Sequence, residues 1–227
     1  MKIYAIGEIK RIDELKLKLG SNHEIIFSGN ENDFDKALAQ TCDAIFDLNA
    51  DERSNAIEEY SSLSNKLIIV CAVKKTLGEI ISENRNANEN HFVGMNCLPT
   101  FVNRPLAEVS FLNEVGKEVF SKFAAELKWN WNQVKDETGM VTPRVICMII
   151  NEACFSFDEG VASMEDIDKA MKLGTNYPWG PFEWCDRIGI KNIYETLEAI
   201  GKNSNDDRYT IAPLLKTKYL KNEAFTF

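Results

Sequence analysis

Apolar and polar positions follow two different rhythms along this chain, and the rhythm changes a little past its middle. Ile3–Ile6 is a short apolar run ending at Gly7, and Ile12–Leu19 then carries apolar side chains at helical spacing and stops at Gly20. Glu24–Phe27 reads as a second strand closed by Ser28-Gly29-Asn30, Asp33–Gln40 as a helix, and Ala44–Leu48 as a third strand. Asn55–Leu63 is predicted helical with Ser54 as its cap. Leu67–Val73 is a continuous Ile/Val-rich run, the pattern of a strand buried on both faces. Phe92–Met95 and Leu106–Ser110 are two more short strands, and Val115–Leu127 is helical. Trp129 and Trp131 alternate along Lys128–Val134 as strand residues or as stacking platforms for a ligand. Strands alternating with helices predict a mainly parallel sheet covered on both faces.

From Pro143 onward no stretch alternates with period two. Val145–Phe157 is a long apolar-rich helix, and Ser163 opens another that runs to about Leu173 and stops at Gly174. Tyr177-Pro178-Trp179-Gly180-Pro181 is a rigid turn, with Pro181 suited to the first position of a helix over Phe182–Ile188. Helices over Asn192–Ile200 and Pro213–Tyr219 complete the chain. The boundary falls at about residues 136–139, dividing an α/β domain (1–138) from an all-α domain (139–227).

Composition narrows the function classes. The 227 residues are 44% hydrophobic and 27% charged, ordinary globular values. A formal net charge of −9 repels nucleic acid and anionic membranes on average. No apolar run reaches the roughly 18–20 residues of a membrane helix, and the N-terminus lacks a signal-peptide core, so a cytoplasmic protein is expected. The six cysteines (42, 71, 97, 147, 154 and 185) contain no C-x-x-C pair, and buried thiols rather than disulfides or a zinc site are expected.

The stretch Asp158-Glu159-Gly160-Val161-Ala162-Ser163-Met164-Glu165-Asp166-Ile167-Asp168-Lys169-Ala170-Met171-Lys172-Leu173-Gly174, followed by Tyr177-Pro178-Trp179-Gly180-Pro181-Phe182-Glu183, closely resembles the C-terminal domain of the 3-hydroxyacyl-CoA dehydrogenases. Val93-Gly94-Met95, Leu106-Ala107-Glu108-Val109 and Asp136–Arg144 sit where that family carries the end of its nucleotide-binding domain and the junction between domains. The resemblance implies a shortened Rossmann-like parallel sheet domain followed by an all-α C-terminal dimerisation domain. It also implies oxidation of 3-hydroxyacyl-CoA with NAD, by a His–Glu pair assisted by a Ser and an Asn.

This chain departs from each part of that machinery. A dinucleotide fingerprint needs G-x-G-x-x-G opening the first helix, and here the run is Gly7-Glu8-Ile9-Lys10-Arg11-Ile12, with Gly7 the one remnant. Ile9 and Ile12 are expected to fill the space of a diphosphate, and Lys10 and Arg11 either bind an anion or form an exposed polar helix start. The ribose carboxylate falls near Ser28, with Glu31 as a substitute. Asn96 stands at the family's His position, and an amide accepts no proton at neutral pH. Its partner is retained as Glu108, either a structural carboxylate or the base of an atypical enzyme. His91 lies at the far end of its strand, roughly 16 Å away at about 3.3 Å per residue, and His23 precedes the second strand. Cys97, beside Asn96, is a packed thiol or an unaided nucleophile. The Ser region reads Cys71-Ala72-Val73-Lys74-Lys75-Thr76, where Lys74 and Lys75 meet a CoA phosphate or form a solvated edge. The junction Asn is Pro143, with Arg144 kept beside it. The expectation is a protein without an NAD cofactor, acting as an acyl-CoA-binding or assembly subunit, as a homodimer through residues 139–227 or a heteromer with an active paralogue. The alternatives are an NAD-dependent dehydrogenase using Glu108 and a pure interaction protein built on the helical dimer.

Overall fold

A computed structural model of the chain describes residues 1–28, 34–54, 56–83, 90–204 and 206–226. The Gly29-Asn30 turn, Glu31, Asp33 and Asn55 lie outside the described residues. The chain divides into two compact units, Met1–Met140 and Val141–Phe227.

In the first unit the strands are β1 (Lys2–Ile6), β2 (Glu24–Ser28), β3 (Ala44–Asp47), β4 (Leu67–Cys71), β5 (His91–Met95), β6 (Leu106–Phe111) and β7 (Asn130–Gln133). Among the described residues they form one sheet in the order β2-β1-β3-β4-β5-β6-β7. β1 to β5 are parallel, β6 runs antiparallel to β5, and β7 is parallel to β6. β3 and β4 are buried along their whole lengths, as central parallel strands covered on both faces must be. The helices are α1 (Ile9–Leu19), α2 (Lys36–Gln40), α3 (Leu77–Ser82) and α4 (Glu114–Glu126). α3 was not foreseen, although Thr76 and Glu79 form a capping box that the T-x-x-E spacing announces. Where a helix was expected over Asn55–Leu63, the described residues form a 3-10 turn at Glu58–Tyr60, and another precedes it at Ala50–Glu52. Asp47, Asp51 and Tyr60 carry side-chain bonds that fix this connection as turns.

The second unit contains α5 (Thr142–Asp158), α6 (Met164–Thr175), α7 (Pro181–Ile188), α8 (Ile190–Ser204) and α9 (Pro213–Lys221). α5 is its axis: Ile146, Cys147, Ile150 and Cys154 are buried with Phe182 and Cys185 of α7, Ile193 and Leu197 of α8, and Leu215 of α9. Asn151 in mid-α5 donates to Thr210 O at 2.8 Å and accepts from Ala212 N at 2.8 Å, satisfying the loop that leads into α9. α6 starts at Ser163, whose hydroxyl accepts from Asp166 N. It runs past Gly174 and ends on Asn176, a left-handed C-cap (φ 56°). Asp168 on α6 caps α7, accepting from Phe182 N at 2.8 Å and Glu183 N at 3.0 Å. All six cysteines are buried, and none is in a disulfide.

Candidate functional site

In an open α/β sheet, ligands bind beyond the carboxyl ends of the strands where the strand order reverses. Here that point lies between β1 and β3, whose chains leave the sheet at Gly7 and Leu48. Gly7 has φ +146°, and a Cβ on it would lie 2.6 Å from Asn49 Oδ1 and 2.9 Å from Leu48 Cβ. The glycine is therefore demanded by the chain's own packing. The next amide, Glu8 N–H, donates to Asn49 Oδ1 at 2.9 Å.

Arg11 is the centre of this crevice. It is fully buried, with 0% of its surface exposed, which corrects the exposed polar helix start expected from sequence. The physical reason is helical phase: residue 11 lies four before Leu15, on the stripe of α1 that faces the sheet. Ile9 is the residue turned out, at 60% exposure, so it does not fill a diphosphate's space; Ile12 is buried in the core. Arg11 Nη1 donates to Leu48 O, and Nη2 donates to Glu52 Oε1 at 2.5 Å. Asn49 Nδ2 donates to the same oxygen at 3.2 Å, and Lys74 Nζ stands 3.3 Å from it. Glu8 Oε2 lies 3.5 Å from Arg11 Nε. Lys74 is buried on Glu52 rather than on a solvated edge, and its backbone N–H and that of Val73 donate to Asp51 Oδ2. Lys75 pairs with Glu83 at 2.7 Å. A buried charge persists only when paired, and the Arg11 and Lys74 charges are paired on Glu52 within this cluster.

Beside it, the buried Asp47 carboxylate receives Tyr60 OH at 2.8 Å and the Arg53 guanidinium. Burial pushes the Tyr60 phenol well above its usual pKa, and the neighbouring Asp47 carboxylate acts in the same direction. A raised phenol pKa contributes stability that is fully present below about pH 10 and lost as pH rises through the folded value. Tyr60→Phe is therefore expected to cost about 1.5 kcal/mol near neutral pH. The gap to the parent should narrow in urea titrations above pH 10; a gap that widens there would contradict the assignment.

At the antiparallel join, Asn96 N donates to Glu108 O at 3.1 Å, extending the register Gly94↔Ser110 and Met95↔Val109 by one pair. Asn96 and Glu108 thus face each other across β5 and β6, with Cβ atoms about 5 Å apart. Asn96 is buried and its Oδ1 accepts from Leu98 N at 3.3 Å; Glu108 is half-buried. Cys97 is buried and hydrogen-bonds with Cys71. Burial first, and that bond second, push the Cys71 thiol well above its usual pKa, so it is neutral and unreactive. The protein has two histidines. His91 opens β5 and lies 3.3 Å from Asn65 Oδ1, while His23 precedes β2 and lies 3.3 Å from the N-terminal amine. Both are at the amino edge of the sheet, opposite Asn96 and Glu108. Trp129 stacks on Phe46 and Trp131 packs on Phe111 and Phe120, so both serve the core.

In the second unit, Pro143 is buried in the first turn of α5. Arg144 donates to Tyr209 OH at 2.7 Å with its guanidinium 5.6 Å from that ring. Among the described residues no group of His, Cys, Asp and Glu is arranged to hold a metal ion, and no helix is long and apolar enough to cross a membrane.

Residues 139–225 match the family described as 3-hydroxyacyl-CoA dehydrogenase, C-terminal domain. The second unit is thus similar to the C-terminal domain of the 3-hydroxyacyl-CoA dehydrogenases. It is 40% identical over 93 residues to the 3-hydroxyadipyl-CoA dehydrogenase of Escherichia coli, covering 41% of this chain and 20% of that one. To a probable 3-hydroxybutyryl-CoA dehydrogenase of Bacillus subtilis it is 42% identical over 89 residues, 39% of this chain and 31% of that one. The matched stretches are thus less than a third of those relatives' own lengths. The fold is that of (S)-3-hydroxybutyryl-CoA dehydrogenase from Ralstonia eutropha, with a TM-score of 0.73 at 18% identity over 100% of this chain and 99% of that one.

The family is NAD-dependent, and the crevice of this 3-hydroxyacyl-CoA dehydrogenase homologue does not fit a dinucleotide. A pyrophosphate is held by free amides at a helix N-terminus and by close backbone approach. Here Glu8 N–H is taken by Asn49, and the cations nearest the turn are taken by Glu52 and Glu8. Sequence reasoning missed Asn49, Glu52 and the Asp47–Arg53–Tyr60 group. The helical phase of Arg11 was the one available signal, since a buried arginine demands a buried carboxylate.

Proposed function

We propose that this 3-hydroxyacyl-CoA dehydrogenase homologue does not oxidise 3-hydroxyacyl-CoA with NAD and serves as an acyl-CoA-binding or assembly subunit. The observation that carries this reading is that Asn96 faces Glu108 while both histidines lie at the opposite edge of the sheet. Alcohol oxidation needs a group that takes the hydroxyl proton as hydride leaves, and an amide offers none at neutral pH. The crevice filled by Arg11 and Glu52 supports the same reading, because it leaves the nicotinamide cofactor without its phosphate site.

Assembly uses residues 139–227, as a homodimer or with an active paralogue. α6 buries only Asp168 among its described side chains, and Val161 and Leu173 stand 70% and 76% exposed nearby. These two exposed apolar side chains support a partner that covers α6. Six buried thiols outside any disulfide suit the cytoplasm.

Acetoacetyl-CoA with NADH is the direct assay. The expected result is no turnover and no NADH binding, with Leu173→Asp shifting the chain from dimer to monomer in light scattering. Turnover that Glu108→Gln abolishes would establish an atypical dehydrogenase with Glu108 as base. A monomer that binds neither acetoacetyl-CoA nor NADH would overturn the assembly reading.

A further inference from the structure

Glu52 Oε1 has an unusual set of neighbours for a side chain in a 3-10 turn. Three separate groups converge on it: Arg11 Nη2 at 2.5 Å, Asn49 Nδ2 at 3.2 Å and Lys74 Nζ at 3.3 Å. Arg11 and Asn49 are each positioned by a bond that does not involve Glu52, and the Lys74 backbone is anchored beside them. Arg11 Nη1 donates to Leu48 O. The Asn49 amide is oriented by Glu8 N–H, which donates to its Oδ1 at 2.9 Å and so turns Nδ2 toward Glu52. The Lys74 backbone is held by Asp51 Oδ2 at 2.7 Å. Donors fixed in advance around one point, with two of the three side chains buried cations, form a preorganised receptor for a single oxyanion. The receptor lies at the strand-order reversal, where phosphate groups bind in folds of this kind.

We propose that Glu52 is a tethered plug in a phosphate-sized anion cradle formed by Arg11, Asn49 and Lys74. This rests on the reading that the crevice carries no dinucleotide, and it names the group that takes the phosphate's place. A tethered carboxylate competes at an effective concentration no free anion reaches in solution, so the parent protein is closed to phosphate. Removing the carboxylate leaves Arg11 and Lys74 aimed at one vacant point. Glu8, 3.5 Å from Arg11 Nε, and Asp51 limit the charge the cradle accepts to that of one small anion. The ligand class is a phosphate monoester or inorganic phosphate, held through one oxygen by the guanidinium, the amide and the ammonium.

The test compares the full chain with Glu52→Gly and Glu52→Gln in thermal melts, using inorganic phosphate, adenosine monophosphate and chloride at equal ionic strength. Glu52→Gly is expected to melt below the parent and to recover in phosphate. A Kd of about 1 mM corresponds to a rise on the order of 4 °C at about 20 mM ligand. The parent and the Glu52→Gly/Arg11→Met double variant should respond no more to phosphate than to chloride. Recovery in both phosphate and the nucleotide indicates an open mouth; recovery in inorganic phosphate alone indicates a closed one, and either supports the cradle. If Glu52→Gly does not fold, Glu52→Gln keeps an acceptor for Arg11, and phosphate line broadening in 31P spectra reads its occupancy. Equal responses of variant and parent in melts and spectra would overturn the proposal. NADH binding to the parent would instead overturn the functional reading above, a separate result.

Discussion

Gly180→Ala should be among the most damaging single-methyl changes in this protein, costing about 3 kcal/mol. A Cβ on Gly180 would sit 2.3 Å from Asp168 Cγ, 2.4 Å from its Cβ and 2.5 Å from its Cα. The last of these is backbone of α6, so no rotamer change relieves the contact and α6 must shift. The backbone conformation of Gly180 itself, φ −72° and ψ 164°, suits any residue. The cost is thus one of contact rather than of strain. Moving α6 also pulls the Asp168 carboxylate off Phe182 N and Glu183 N, which removes the cap of α7. Thermal melts followed by circular dichroism should show a drop on the order of 10 °C. Gly174→Ala supplies the control: it lies in α6 with nothing within 4 Å of its added Cβ, and should be neutral or slightly stabilising. Similar losses at the two positions would remove the close approach of Gly180 and Asp168 from the account.

Arg11→Ala is expected to destabilise the α/β unit by about 3–5 kcal/mol. The loss comes less from the missing attraction than from what stays behind. Glu52 would lose its guanidinium partner while remaining beside Lys74 and Asn49, and Leu48 O would lose its guanidinium donor in the interior. Removing the opposing charge as well, in Arg11→Met with Glu52→Gln, should recover a large part of the loss, since a pair replaced together leaves no orphaned ion. Urea unfolding of the three proteins measures both steps. A loss below about 1 kcal/mol for Arg11→Ala would mean that the guanidinium is solvated.

The sheet was legible because its strands are short apolar runs between turn residues, and Leu67–Val73 could hardly be anything but a doubly covered strand. The start of α6 at Ser163 and of α7 at Pro181 was legible for a local reason: a hydroxyl cap and a fixed proline φ act within one turn. Helix ends were less so, since α6 passes through Gly174 to stop at Asn176. The placement of Asn96 opposite Glu108 was readable from the two short strands that carry Gly94-Met95 and Glu108-Val109. Arg11 was misjudged because a charged residue two past Ile9 looks solvated until the helix is phased on Leu15 and Leu19. Glu52 was not readable at all. Its partnership spans 41 residues and depends on a 3-10 turn, Ala50–Glu52, that no periodicity marks.

Asp136 sets a practical limit on dissecting this chain. It follows the last strand of the sheet, yet its carboxylate accepts from Leu77 N at 2.8 Å, Gly78 N at 2.9 Å and Ser110 Oγ at 3.1 Å, and Gly139 N donates to Val73 O at 2.7 Å. A fragment trimmed flush with β7 would strip the acceptor from the start of α3 and unzip the segment beside β4. Expression of the amino-terminal half alone therefore has to carry the tail through residue 140, and a protease nick a few residues earlier would loosen the middle of the sheet rather than its rim.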